Sequence, residues 1–229
     1  MIHGRILEIQ NKISIICKRL GRNPKEITLI GVTKFASVEK IKEAVAAGLT
    51  NLAENKVQEA QKKFPELKKA YPQLKCHLIG HLQTNKVKAA LQVCDLIQSV
   101  DSLKLAQEIE KQAEKSGWDA EILVQVKTSG EEQKFGANPD TVLQLIAEIS
   151  KFKRVKILGL MTMAPFIDDQ DIVRRCFRQL REIRDAAEKK FKGRPNVAMK
   201  YLSMGMTEDF EIALEEGSNM IRIGRAIFE

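Results

Sequence analysis

Short apolar runs alternate with longer amphipathic segments along this sequence. Residues 4–20 carry their apolar side chains at helical spacing, and a glycine follows them. Ile27–Thr33 is a nearly continuous apolar run, the pattern of a parallel strand buried on both faces. A second helix is expected over Val38–Ala47, with Ser37 as its cap. The chain therefore opens as helix, strand, helix.

The same alternation continues through the rest of the sequence. It predicts βαβ units and therefore a parallel sheet. Further strands are expected near residues 51–54, 75–80, 96–100, 120–127, 155–163, 200–204 and 220–224, with helices near 55–69, 85–92, 102–116, 139–150, 170–190 and 207–216.

Eight strands in 229 residues favour an α/β fold, a closed (β/α)8 TIM barrel, in a single domain spanning residues 1–229. The alternative is an open doubly wound sheet, but no strand is followed by GxGxxG. The sequence stops soon after the eighth strand, which leaves no room for an eighth outer helix. We expect the extra N-terminal helix to fill that gap in the ring.

Composition narrows the class of protein. Hydrophobic residues make up 44% and charged residues 30%, as in folded soluble proteins, and no apolar run is long enough to span a membrane. The four cysteines are dispersed and the N-terminus does not resemble a secretory signal, so we expect reduced thiols and a cytoplasmic location. The net charge of +8 comes from basic residues interleaved with acidic ones, and aromatic residues are only 5%. We expect neither a nucleic-acid nor a membrane partner.

Candidate chemistry lies where the barrel strands end, because the loops there form the active sites of such barrels. Lys34 follows the first strand, where an amine facing the barrel mouth can form a Schiff base. The alternative is a loop lysine that faces solvent. Asn55 follows the second strand and can contribute to a polar wall, or else cap the next helix.

The third and fifth strands give weaker signals. His77 and His81 are four residues apart but flank a strand end without an adjacent acidic ligand, so no metal site is expected. One histidine is expected to line the pocket and the other to be structural. Residues 127–136 form a polar loop with two glycines, which suggests a lid or rim.

The ends of the seventh and eighth strands give the clearest signal. Ser203 offers a hydroxyl group, and Gly205 and Gly224 allow backbone N–H groups to approach an anion. Thr207 can cap a helix that begins at Glu208. Two ordinary tight turns are the alternative, but these loops are the usual phosphate site of such barrels. An amine at one strand end and a phosphate cradle at another suggest pyridoxal 5'-phosphate (PLP) as the cofactor.

Six segments are distinctive: GVTKFAS at 31–37, AENKVQE at 53–59, HLIGHLQTNK at 77–86, SGEEQKFG at 129–136, GLMTMAP at 159–165 and LSMGMTEDFEIALEEGSNMIRIGRAIF at 202–228. In these segments, and over nearly its whole length, the sequence resembles the PLP homeostasis protein family, also called the YggS/PROSC family.

The resemblance implies the barrel of the alanine racemase N-terminal domain. It implies that Lys34 holds PLP covalently as a Schiff base and that Arg222 faces the pyridine nitrogen. It also implies that Asn55 belongs to the polar wall beside the cofactor. The remaining residues implied, as the grip on the phosphate, are Ser203, Gly205, Gly224 and the backbone at Arg225.

The family's members are considered non-catalytic PLP buffers or carriers, and apo PLP-dependent enzymes are their suggested recipients. An arginine at the pyridine nitrogen weakens the cofactor as an electron sink, because guanidinium cannot accept the proton. Related racemases compensate with a tyrosine from a second domain. Here Tyr71 is expected in a helix–strand connection and Tyr201 inside a strand. We therefore expect a protein that is not an enzyme, and a monomer; a PLP-dependent amino-acid racemase is the alternative.

Three positions depart from the family pattern. Ala53 replaces an expected glycine, Lys56 replaces an aromatic residue, and Glu229 replaces a glycine. We expect the first two to change PLP affinity or exchange without abolishing binding.

Overall fold

Eight parallel strands close into a barrel in the computed structural model, which describes residues 1–129 and 135–229. The strands follow chain order, and β8 pairs with β1, with Ile30 opposite Arg222. The predicted (β/α)8 TIM barrel is confirmed. The strands are β1 Thr28–Val32, β2 Asn51–Glu54, β3 Lys75–Leu78, β4 Leu96–Val100, β5 Ala120–Gln125, β6 Val155–Met161, β7 Val197–Ser203 and β8 Met220–Ile223.

Helices surround the barrel in the order that the amphipathic segments predict. Two short 3₁₀ turns, Pro24–Glu26 and Thr84–Lys86, accompany them. The helices are α1 Ile2–Arg19, α2 Val38–Ala46, α3 Val57–Ala70, α4 Val87–Val93, α5 Leu103–Ser116, α6 Val142–Ile149, α7 Gln170–Lys190, α8 Phe210–Glu215 and α9 Arg225–Phe228.

The N-terminal helix α1 joins the outer ring, as expected. It buries an isoleucine stripe and contacts α2, α8 and α9. Polar contacts fix it to the C-terminal part of the chain: Arg5 Nη2 donates to the Glu229 carbonyl over 2.8 Å, and Lys12 pairs with Glu211. The gap beside β8 is thus shared by α1 and the four-residue helix α9, which the sequence did not predict.

Some boundaries differ from the predicted ones. Strand β7 begins at Val197, three residues earlier than expected, and helix α8 begins at Phe210. The prediction that Thr207 caps this helix is wrong. The Asp209 carboxylate instead accepts the Met206 N–H over 2.5 Å, which holds a turn before the helix starts.

The core has two layers. Apolar side chains between barrel and helices form the outer layer, and a smaller cluster that includes Leu123 and Met161 fills part of the barrel interior. Buried polar groups, among them His77, Gln98 and Arg222, share that interior. Within residues 1–129 and 135–229, no helix is long and apolar enough to cross a membrane, and no cluster of His, Cys, Asp and Glu could hold a metal ion.

Candidate functional site

A cavity of about 380 Å³ opens at the carboxyl ends of the strands. Its volume lies in the range of small-molecule sites. Loops after seven of the eight strands contribute to its lining. Five of the seven predicted cofactor-binding residues line it: Lys34, Asn55, Arg222, Gly224 and Arg225.

Lys34 stands in a tight turn directly after β1. The Ala36 N–H donates to the Thr33 carbonyl over 3.0 Å, so Lys34 is the second residue of a four-residue turn. Its side chain is exposed at the cavity mouth, and its Nζ lies 4.4 Å from the centroid of the Phe35 ring. Lys34 is therefore both a loop lysine exposed to solvent and a residue of the cavity lining, and its amine is accessible to a ligand.

Asn55 follows β2 and contributes a side-chain amide to the cavity wall. Helix α3 begins at Val57, and its N-cap position is Lys56, so Asn55 is not its cap. The Asn55 Oδ1 atom is buried and has no hydrogen-bond partner among the described residues. A buried acceptor without a donor is costly, so this atom marks a place where a ligand donor would be stabilised.

Arg222 projects from β8 and is only 2% exposed. Its Nη1 donates to the Ser203 hydroxyl over 2.6 Å and its Nη2 to the Thr162 carbonyl over 2.8 Å. Burial lowers the pKa of Arg222 to about 10, and the nearby Asp209 carboxylate opposes this shift. The group remains a cation at neutral pH, and it stands at the cavity with N–H groups beyond those two contacts.

Ser203 lies below the cavity, in the hydrogen-bonded interior of the barrel. Its hydroxyl donates to Gln98 Oε1 over 2.7 Å while it accepts from Arg222. Gln98 Nε2 in turn lies 3.0 Å from His77 Nδ1, and His77 Nε2 lies 3.1 Å from Asn51 Oδ1. Burial lowers the pKa of His77 to about 4, so its ring is neutral at pH 7 and can accept at Nδ1 and donate at Nε2.

The two glycines predicted at the phosphate have different surroundings. Gly205 is buried with φ +98°, and a Cβ there would lie 2.6 Å from that of Ala213, so packing against α8 requires a glycine. Gly224 lines the cavity, and a Cβ there would approach Val32 to 3.4 Å. Gly224 and Arg225 thus stand at the cavity, whereas Ser203 and Gly205 do not line it.

Sequence reasoning missed several residues of the cavity. Thr207, considered only as a helix cap, lines the cavity. His81, one of the two histidines between which the sequence left the pocket position open, lines the cavity and stacks on Phe135, with ring centroids 3.8 Å apart. Phe35 and Phe166 are also in the lining and are about four-fifths exposed. The signal that could have found the phenylalanines is their position in loops, outside every amphipathic period.

The histidines divide as the sequence suggested. His81 belongs to the cavity and His77 to the barrel interior. The lid or rim expected at residues 127–136 lies partly outside the described residues, which exclude 130–134. Of the flanking residues, Phe135 lines the cavity.

The three residues that depart from the family pattern differ in burial and in whether they line the cavity. Ala53 is fully buried in β2, and Lys56 is exposed at the start of α3; neither lines the cavity. Glu229 does line it.

The sequence and the fold match a known protein class. Residues 8–229 match the family model of the alanine racemase N-terminal domain. The pyridoxal phosphate homeostasis protein of Aquifex aeolicus is 40% identical over 224 residues, which cover 98% of this chain and 96% of that protein. The chain belongs to the pyridoxal phosphate homeostasis protein family.

Solved structures agree with this assignment. An unknown protein from Bifidobacterium adolescentis superposes with a TM-score of 0.94 at 33% identity, covering 99% of this chain and 94% of the other. PipY of Synechococcus elongatus, solved with PLP bound, superposes with a TM-score of 0.86 at 31% identity over 100% of both chains.

Proposed function

We propose that this protein binds PLP in the cavity at the carboxyl ends of its strands, holds it covalently on Lys34, and buffers or carries it in the cell without robust catalysis. The observation that carries the proposal is the meeting of an accessible amine, a buried guanidinium and a glycine turn around one cavity of about 380 Å³. The PLP bound to PipY supports it.

The residues present fit the chemical groups of PLP. An aldehyde bound near Lys34 would condense with its amine, forming a C=N bond and releasing water. The Gly224–Arg225 turn and Thr207 would hold the phosphate, since backbone N–H and hydroxyl groups suit an anion. Arg222 would donate to the pyridine nitrogen, and Asn55 would meet a polar substituent of the ring.

The non-catalytic part of the proposal rests on what faces the cavity. Arg222 would donate to the ring nitrogen and leave it unprotonated, which would disfavour carbanion chemistry. Tyr71 directly follows α3 and Tyr201 lies within β7, and neither lines the cavity. A racemase tyrosine therefore has no counterpart among the described residues of the lining.

The alternative function is a PLP-dependent racemase or related amino-acid enzyme. One observation favours it: the His81 imidazole lines the cavity and could move a proton. Enzyme-like racemisation of an amino acid that Lys34→Ala abolishes would establish the alternative, and its absence across the common amino acids would support the carrier.

Covalent attachment is tested by borohydride reduction of the PLP-loaded protein, followed by mass analysis of the labelled peptide. We expect the label on Lys34 and its loss in Lys34→Ala. Lys40→Ala is the matched control, because Lys40 also lines the cavity but donates to the Phe228 carbonyl over 2.9 Å. Label that persists in Lys34→Ala, or that spreads over surface lysines, would contradict the proposal.

The proposal also covers the location, the oligomeric state and the recipients of PLP. We expect a cytoplasmic monomer that gives PLP to apo PLP-dependent enzymes. Recovery of activity by such an enzyme, mixed with the loaded protein in the presence of a scavenger of free PLP, tests the transfer. Sedimentation analysis tests the monomer.

A further inference from the structure

A buried ion pair lies directly behind the turn that carries Lys34. Glu54, the last residue of β2, has a side chain that is 1% exposed, and Lys63 of α3 has one that is 12% exposed. Lys63 Nζ lies 2.8 Å from Glu54 Oε1. Neither residue lines the cavity, so neither contacts a ligand there.

The pair converges on Thr33, the residue before Lys34. The Thr33 hydroxyl lies 2.7 Å from Glu54 Oε1, and Lys63 Nζ donates to the Thr33 carbonyl over 2.8 Å. The Thr33 N–H donates to the Ala53 carbonyl over 2.9 Å. Every polar atom of Thr33 is therefore bound, and two of the contacts come from the ion pair.

The same carbonyl that Lys63 contacts also closes the turn. The Ala36 N–H donates to the Thr33 oxygen over 3.0 Å. Lys34 is thus the first residue after a position whose polar atoms are all bound, in a turn whose closing acceptor also accepts from the largely buried ammonium group of Lys63. The reactive side chain itself is long and exposed, so the turn is what limits its directions.

Stability alone explains such a pair poorly. Two charges removed from water lose much of their hydration, and apolar residues of similar size often serve a fold equally well. A buried pair is better explained where it fixes one geometry. Here the geometry that it fixes is the base of the Lys34 turn.

We propose that Glu54 and Lys63 are positioning residues for Lys34: their ion pair holds Thr33 so that the Lys34 amine meets the ligand's aldehyde at bonding distance. This inference rests on the proposed function. It predicts that loss of the pair slows formation of the covalent bond but leaves non-covalent affinity unchanged. The reason is that the pair governs the covalent step while other residues hold the phosphate and ring.

The test compares Lys63→Met with the unsubstituted protein in two assays. One is the rate at which PLP forms the borohydride-reducible bond. The other is the affinity for pyridoxine 5'-phosphate, whose alcohol cannot form that bond. We expect bond formation to slow by about tenfold or more while analogue affinity stays within about twofold, since small misplacements penalise reaction more than binding.

Lys68→Met is the matched control. Lys68 is on the same helix and donates to Asp95 over 2.8 Å, but Asp95 precedes β4, at the opposite end of the barrel from the cavity. We expect this variant to change neither quantity. Lys63→Arg should restore part of the rate, because it returns a cation to the same place.

Three outcomes would overturn the proposal: an unchanged rate in Lys63→Met, an equal loss of rate and analogue affinity, or an equal slowing in Lys68→Met. If Lys63→Met does not fold, Thr33→Val removes the hydroxyl that contacts Glu54, and an unchanged rate there overturns the proposal instead. Failure of the proposed function can be told apart from failure of this positioning role, because in the former case the unsubstituted protein would carry no label on Lys34.

Discussion

The hydroxyl of Ser203 connects the cavity's guanidinium to the polar interior of the barrel. It accepts from Arg222 and donates to Gln98 Oε1. Both contacts are buried, so loss of the hydroxyl would leave two polar groups without their partner. The geometry thus gives Ser203 a role in orienting Arg222.

We predict that Ser203→Ala lowers the free energy of unfolding by about 1–3 kcal/mol, the cost of buried polar groups left unpaired. Urea titration measures this. Competition of inorganic phosphate with PLP should be unaffected, because the hydroxyl does not line the cavity. Unchanged stability with weaker phosphate competition would instead place the hydroxyl on the phosphate, as the sequence suggested.

Residue types at strand ends identified much of the candidate site. Lys34, Asn55, Arg222, Gly224 and Arg225 surround one cavity because parallel strands end at the same rim. Ser203 was expected beside them but does not line the cavity. A sequence shows that a residue is near a strand end, but it does not show how deep the side chain lies. The ion pair between Glu54 and Lys63 could not be predicted from the sequence either, because it depends on how α3 packs over β2.

At the scale of elements, β6 and β7 meet through an irregular pairing. The register shifts between Ile157 and Gly159, and Gly159 has φ +153°. A Cβ at Gly159 would lie 1.9 Å from the Tyr201 carbonyl oxygen, which is backbone and cannot rotate away. The bend that brings these strands together therefore requires glycine.

We predict that Gly159→Ala destabilises the protein by about 2 kcal/mol or more, because backbone strain and steric conflict combine. Gly4→Ala is the control: Gly4 lies in α1, and a Cβ there would have nothing within 4 Å, so alanine should stabilise the helix by up to about 1 kcal/mol. Thermal melting compares the two. Equal melting temperatures would refute the strain at Gly159.

Hydrophobic periodicity predicted the elements better than their ends. All eight predicted strands are present, because a strand covered by helices buries apolar side chains in a short run that breaks the helical period. Helix α8 starts at Phe210, after a turn in which the Met206 carbonyl accepts from the N–H groups of Asp209 and Phe210. Hydrophobic periodicity does not show where such a turn passes into a regular helix.

For the molecule as a whole, His77 links stability to pH. Its pKa is about 4 in the folded protein, whereas an unfolded chain has the ordinary value of 6.5. The unfolded state therefore binds the proton first as the pH falls, and protonation favours unfolding. The contribution of His77 is complete above pH 6.5 and is lost as the pH falls towards 4.

We predict that the free energy of unfolding falls by about 2 kcal/mol from this group alone between about pH 7.5 and pH 4.5. Urea titrations of the unsubstituted protein and of His77→Gln, at both pH values, isolate it from the carboxylates. The variant should show the smaller pH dependence, whatever its absolute stability. Equal slopes would mean that His77 titrates normally.

The cavity is built from distant parts of the sequence. Lys40 of α2 and Phe228 of α9 both line the cavity and contact each other, although they are 188 positions apart. During synthesis on the ribosome, Lys40 is made long before Phe228. The cavity is therefore complete only after β8 and α9 have been synthesised, so a nascent chain that lacks them has no assembled ligand site.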